Sequence, residues 1–133
     1  MYEETLLQLS RDQHFRSSEM PTAVLSERRN PACGDEIAIS GKVENGKIEN
    51  LSFYAQGCAV CVASCTALCQ ELNGCDLKTA EKRIAQALEF FEGQDEWTAD
   101  WGSPALPALG VVRDRPMRMT CVKLAWLALQ ESL

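Results

Sequence analysis

Residues 36–55 run EIAISGKVENGKIENLSFYA, and their pattern decides the fold. Ile37, Ile39 and Val43 fall on one side of an alternating stretch that begins at Glu36. Asn45-Gly46 interrupts it with two residues that tolerate positive φ, the strongest short hairpin signal. The return from Lys47 to Ala55 carries Leu51, Phe53 and Ala55 on its apolar side. Upstream, residues 23–28 predict a further short strand leading to Asn30-Pro31. The expectation is an antiparallel sheet of two or three strands.

Downstream the period changes. Small and apolar residues dominate from Val60 to Leu72 and stop at Asn73-Gly74, a natural helix end. Asp76 is a good N-cap for a helix through about Phe91, with Leu77, Ala80, Ile84, Ala87 and Leu88 as its buried stripe. Residues 92–116 have no clear period and read as a long excursion, with a short helical turn near Ala105 to Leu109. Pro116 opens a last helix to about Ser132, its Met119, Val122, Leu124, Ala125 and Leu127 turned mostly inward. Residues 3–14 fit a short amphipathic helix, followed by a loop from Arg16 to Pro21. Strands first and helices later predict an α+β domain with helices packed on one face of an antiparallel sheet.

The 133 residues suit one domain over 1–133, with a single hydrophobic core. No apolar run approaches the roughly 20 residues needed to span a bilayer. The acidic start at Met1-Tyr2-Glu3-Glu4 lacks the layout of an export signal, so the expected location is cytoplasmic, with no membrane partner. A net charge of −6 argues against nucleic acid, whose phosphates need a basic surface.

Seven cysteines are an odd number, and without an export signal they predict metal, sulfur or redox chemistry together with buried packing thiols. Cys33-Gly34-Asp35 falls in a turn before the first hairpin strand. Gly34 lets the backbone fold tightly enough for the thiol and the carboxylate to converge as transition-metal donors. Taken alone, the tripeptide is equally a thiol and a surface carboxylate in a turn. Cys58 follows Gln56-Gly57 and precedes the helix at Val60, where the positive end of the helix dipole favours a thiolate. If the hairpin closes, the end of its second strand lies beside the start of its first, and Cys33 and Cys58 become neighbours.

Cys61, Cys65 and Cys69 recur every fourth residue and share one helix face. They fit a Cys-x-x-Cys redox pair at Cys58 and Cys61, an incomplete cluster-binding run, or thiols used as core filler. Core filler is the reading for Cys65 and Cys69, whereas Cys61 stays open. Cys75, in a turn, is incidental. Cys121 is a lone cysteine on the last helix, and periodicity does not show what it faces. His14, the single histidine, has no flanking ligand, and neither a phosphate loop nor a Ser/His/Asp set can be built.

Three segments taken together resemble a known family. Asn30-Pro31-Ala32-Cys33-Gly34-Asp35, Gly57-Cys58-Ala59-Val60-Cys61-Val62-Ala63-Ser64 and Cys121-Val122-Lys123-Leu124-Ala125-Trp126 resemble, in order, the cysteine motifs of the NifU-like/IscU-like proteins of iron–sulfur cluster assembly. The resemblance implies a three-stranded sheet and a site where Cys33, Asp35, Cys58 and Cys121 meet. The IscU scaffold branch has a His immediately before its third cysteine, where this chain has Thr120. Residues 92–116 and the Cys-x-x-Leu-x-Trp pattern look like the SufU branch instead.

By that likeness the site holds Zn²⁺ and Cys121 accepts persulfide sulfur from a cysteine desulfurase, making the chain sulfurtransferase-like. Arg118 matches a basic residue kept near the site, where it offsets negative charge. The alternative is an IscU-like scaffold, not an enzyme, that assembles a [2Fe–2S] cluster and passes it to downstream iron–sulfur assembly or carrier proteins. A metal-stabilised interaction module is a third reading. The Leu-Pro-Pro-Val-Lys segment that engages an Hsp70-type chaperone is absent, with Arg115-Pro116-Met117-Arg118 in its place, so that partner is not expected.

Overall fold

The computed structural model describes residues 2–21, 24–30 and 34–133. Within them helix α1 (Tyr2–Arg11) precedes strands β1 (Ser26–Asn30), β2 (Asp35–Glu44) and β3 (Lys47–Gln56). Helices α2 (Ala59–Leu72), α3 (Leu77–Glu92), α4 (Ala105–Gly110) and α5 (Pro116–Ser132) follow. The strands form one antiparallel sheet in the order β1-β2-β3. The α+β fold expected from the sequence, a three-stranded antiparallel sheet with helices packed against it, is what the chain adopts.

The hairpin registers Ile37 against Ala55 and Ile39 against Phe53, and all four are buried. The alternation fails past Ser40. The register shifts between Ser40 and Lys42, where Gly41 adopts φ +157, and Val43 ends 43% exposed instead of inward. An irregularity of this kind reassigns which residues face the core. The hairpin tip is then closed by the α2–α3 corner. Ile48 N donates to Cys75 O, Gly74 N to Ile48 O and Leu77 N to Gly46 O.

The first strand begins later than the sequence pattern suggests and ends at Asn30, adjoining the site. The segment after α1 is more than a loop. Phe53 N donates to Phe15 O and Ser17 N to Phe53 O, so Arg16 bridges in parallel to the outer edge of β3.

Helix α2 is the centre of the molecule: every residue from Cys61 to Cys69 is buried. A helix apolar all round belongs inside a core. Helix α5 lies across β1 and β2, tied by Ser26 Oγ donating to Ala128 O and by the Arg28–Glu131 ion pair. Its buried face differs slightly from the expected one. Leu127 is only half-buried, whereas Trp126 and Leu129 are fully buried. Burying side chains as large as Trp126, Phe53 and Phe91 stabilises the fold by about 1.5–3 kcal/mol each.

Residues 93–104 fold back over α3. Trp97 packs edge-on against Phe90 and Trp101, and Trp101 Nε1 donates to Gln86 Oε1. Among the described residues no helix is long and apolar enough to cross a membrane.

Candidate metal centre

Three parts of the chain meet at one point: the start of β2, the step from β3 into α2, and the second turn of α5. Asp35 is the first residue of β2 and pairs with Asn30 across the β1–β2 ladder. Gly34, before it, has φ +77, and its N–H donates to Asn30 O at 2.8 Å. That positive φ suits glycine, as the sequence expectation required.

The ladder also pairs Glu36 with Gln56, which brings Gly57 and Cys58 alongside Asp35. Cys58 is the N-cap residue of α2, half-buried, with no side-chain cap bond. Its sulfur is therefore not committed to the helix backbone. Cys121 reaches the same point from α5 and is 3% exposed.

The donor atoms of Asp35, Cys58 and Cys121 all lie within 4.8 Å of one another. Cys58 Sγ stands 3.9 Å from Asp35 Oδ2. In a tetrahedral zinc site, donor–donor edges are about 3.4–3.8 Å, as follows from zinc–sulfur and zinc–oxygen bonds of about 2.3 and 2.1 Å. A small inward movement would bring this trio to that spacing. Thiolate and carboxylate donors also suit the ion chemically, so the residues present fit a zinc centre. Cys33, the fourth expected donor, lies outside the described residues.

Gly57 has a role that the sequence did not reveal. A β-carbon built on it would lie 2.8 Å from Asp35 Cγ and 2.9 Å from Oδ1. The carboxylate thus rests against bare backbone, and any side chain at position 57 would displace it. The usual signal for a required glycine, a positive φ, is absent here, because the requirement is space.

The remaining thiols separate clearly. Cys61 is buried, and its pKa is driven upward by a hydrogen bond with Cys65, by burial, and by the negative fields of Cys65, Asp35 and Cys58. It is thereby held as a thiol, outside the Asp35–Cys58–Cys121 group. Burial alone pushes Cys69 up to about 12. No disulfide joins any of the six described cysteines. Arg118 sits exposed on the first turn of α5, about one turn before Cys121. Thr120, also exposed, spends its hydroxyl on Pro116 O at 2.9 Å.

This fold and donor group define a class. Residues 6–105 match the family model for the NifU-like N terminal domain, and the chain belongs to that family. Among named relatives, the iron–sulfur cluster assembly scaffold protein IscU of Thermotoga maritima is 28% identical over 133 residues, all of this chain and 92% of its own length. The zinc-dependent sulfurtransferase SufU of Bacillus subtilis is also 28% identical, over 112 residues, 84% of this chain and 75% of its own. The fold matches a crystal structure from Fervidobacterium islandicum AW-1, described as an assembly scaffold for the SUF system. That match has a TM-score of 0.82 at 24% identity and covers 96% of this chain and 93% of the other.

Proposed function

We propose that this chain serves iron–sulfur cluster assembly as a zinc-holding sulfur acceptor, with Cys121 taking sulfur from the persulfide of a cysteine desulfurase. The convergence of Asp35, Cys58 and Cys121 carries the proposal. Cys33, adjoining Gly34 in sequence, would supply the fourth donor. Bound zinc would keep these thiols deprotonated at neutral pH and orient them.

The chain's own residues account for the rest. Asp35, seated against Gly57, offers an oxygen donor that is harder than sulfur and a poorer match to soft metals, hence the natural corner to open. The Cys121 thiolate attacks the outer sulfur of the donor persulfide. A sulfur–sulfur bond forms to Cys121 as the donor's own breaks, and the donor leaves as a thiolate. No net oxidant or reductant is needed. Arg118, exposed one turn before Cys121 on α5, would offset negative charge at the donor group.

Two observations favour this reading over cluster assembly. Thr120 stands where the scaffold branch has His, and its hydroxyl is turned to its own helix backbone. The chain also shares the Trp126 of the SufU-like pattern. A second reading keeps support from the Thermotoga maritima relative, named as an IscU scaffold and matched over the whole chain. On that reading the same donors assemble a [2Fe–2S] cluster as cargo and hand it to a carrier protein.

Metal analysis of the natively purified protein, with its visible absorption, tests the choice. Sulfur transfer expects one zinc per chain and no visible band. A broad visible band after anaerobic treatment with iron and sulfide, with no zinc retained, would overturn it in favour of the scaffold.

A further inference from the structure

Helices α2 and α5 carry Cys58 and Cys121 to the same point. The buried residues of α2 mix small side chains, among them Cys61, Ala63, Cys65 and Ala67, with the larger Val62, Leu68 and Leu72. Apolar packing alone specifies contact more than position. A polar link crosses the interface as well. Ser64, fully buried in the second turn of α2, donates through Oγ to Val122 O at 2.6 Å. The same Oγ accepts from Trp126 Nε1 at 2.9 Å. Val122 directly follows Cys121, and Trp126 lies one helical turn further along α5. A single hydroxyl therefore grips two successive turns of α5, fixing both its rotation and its axial position. Phe91 of α3 backs the indole edge-on, with ring centroids 5.9 Å apart.

We propose that Ser64 and Trp126 are positioning residues that set the Cys58–Cys121 spacing on which metal binding and sulfur acceptance depend. The proposal rests on the zinc reading above for its consequence, not for its geometry. Neither residue touches the donor group as a ligand. Their effect passes through Val122 to the adjoining Cys121. A buried polar group that is fully partnered specifies one arrangement, because any slip of α5 would leave it unpartnered at high cost.

The test compares Ser64→Ala and Trp126→Phe with the unaltered chain. Trp126→Phe keeps a ring in the core and removes only the N–H side of the link. Three quantities are read: zinc affinity by competition with a chromophoric chelator, the visible spectrum of the cobalt-loaded protein, and, without metal, the yield of Cys58–Cys121 disulfide after mild diamide oxidation, by peptide mapping. Both variants should melt cooperatively and bind zinc about tenfold more weakly, the usual scale for losing an outer hydrogen bond at a metal site. Their cobalt bands should shift and their disulfide yield should fall. Ser64→Ala should have the larger effect, since it breaks both bonds.

A folded variant with unchanged affinity, spectrum and disulfide yield would overturn the proposal. If Ser64→Ala does not fold, Trp126→Phe decides by the same criteria. The metal-free readout keeps the two claims apart. An unaltered chain that binds no zinc or cobalt, with variants that still lose the disulfide, would overturn the zinc reading and uphold the positioning role.

Discussion

At the scale of single residues, the donor group depends on a missing side chain as much as on those present. Gly57 is exposed and its backbone is ordinary, yet it abuts the buried Asp35 carboxylate. Gly57→Ala should leave the core untouched and move that carboxylate, weakening zinc binding by about tenfold. The metal-free melting temperature should stay near that of the parent. Calorimetric titration with zinc and a thermal melt would check both, and unchanged affinity would show that Asp35 is free to adjust. Part of this was legible in the sequence. The Gly34-Asp35 turn and the placement of Cys58 before a helix followed from turn chemistry and the change of period, whereas Cys121 did not. Nothing in the local pattern around Thr120 and Val122 says which helix lies opposite. Gly57 was hidden for the same reason, since a steric need across a ladder leaves no local mark.

At the scale of elements, boundaries set by backbone chemistry were readable and those set by packing were not. Asp76 caps α3, its carboxylate accepting from Thr79 N at 3.0 Å, and Pro116 opens α5. The inward face of the first hairpin strand was readable only as far as Ser40, because the irregularity at Gly41 shifts the face of everything beyond it. The excursion over residues 93–104 was the least legible part. Its order comes from aromatic edges and from Arg113, which lies over the Phe90 ring and donates to the carbonyls of Phe90 and Asp95. Such contacts have no period. They also make Gly110, at the end of α4, sensitive, because a β-carbon there would lie 2.5 Å from the Phe90 ring. Gly110→Ala should destabilise the fold by about 1–3 kcal/mol through overpacking. A lower urea midpoint with an unchanged slope would bear this out, and an unchanged midpoint would show that Phe90 swings away at no cost.

At the scale of the whole molecule, the topology turns three distant parts of the chain into one site. The start of β2 delivers Asp35, the β3–α2 junction delivers Cys58, and α5, crossing the sheet, delivers Cys121. The mixture of sheet and helices was plain from the change of period after residue 55, and family likeness supplied the meeting of the third motif with the first two. The buried thiols show the same division of labour. Within α2 the pKa of Cys61 is driven upward by its hydrogen bond with Cys65 and by burial, and burial pushes Cys69 up to about 12, so both favour the thiol form. The most direct measurement is peptide mapping by mass spectrometry after incubating the zinc-loaded protein with a cysteine desulfurase and cysteine. The Cys121 peptide should gain one sulfur atom, and Cys121→Ser, still folded and still bound by the desulfurase, should gain none. Sulfur found on another cysteine, or none on any while the desulfurase turns over, would contradict the assignment of Cys121 as the acceptor.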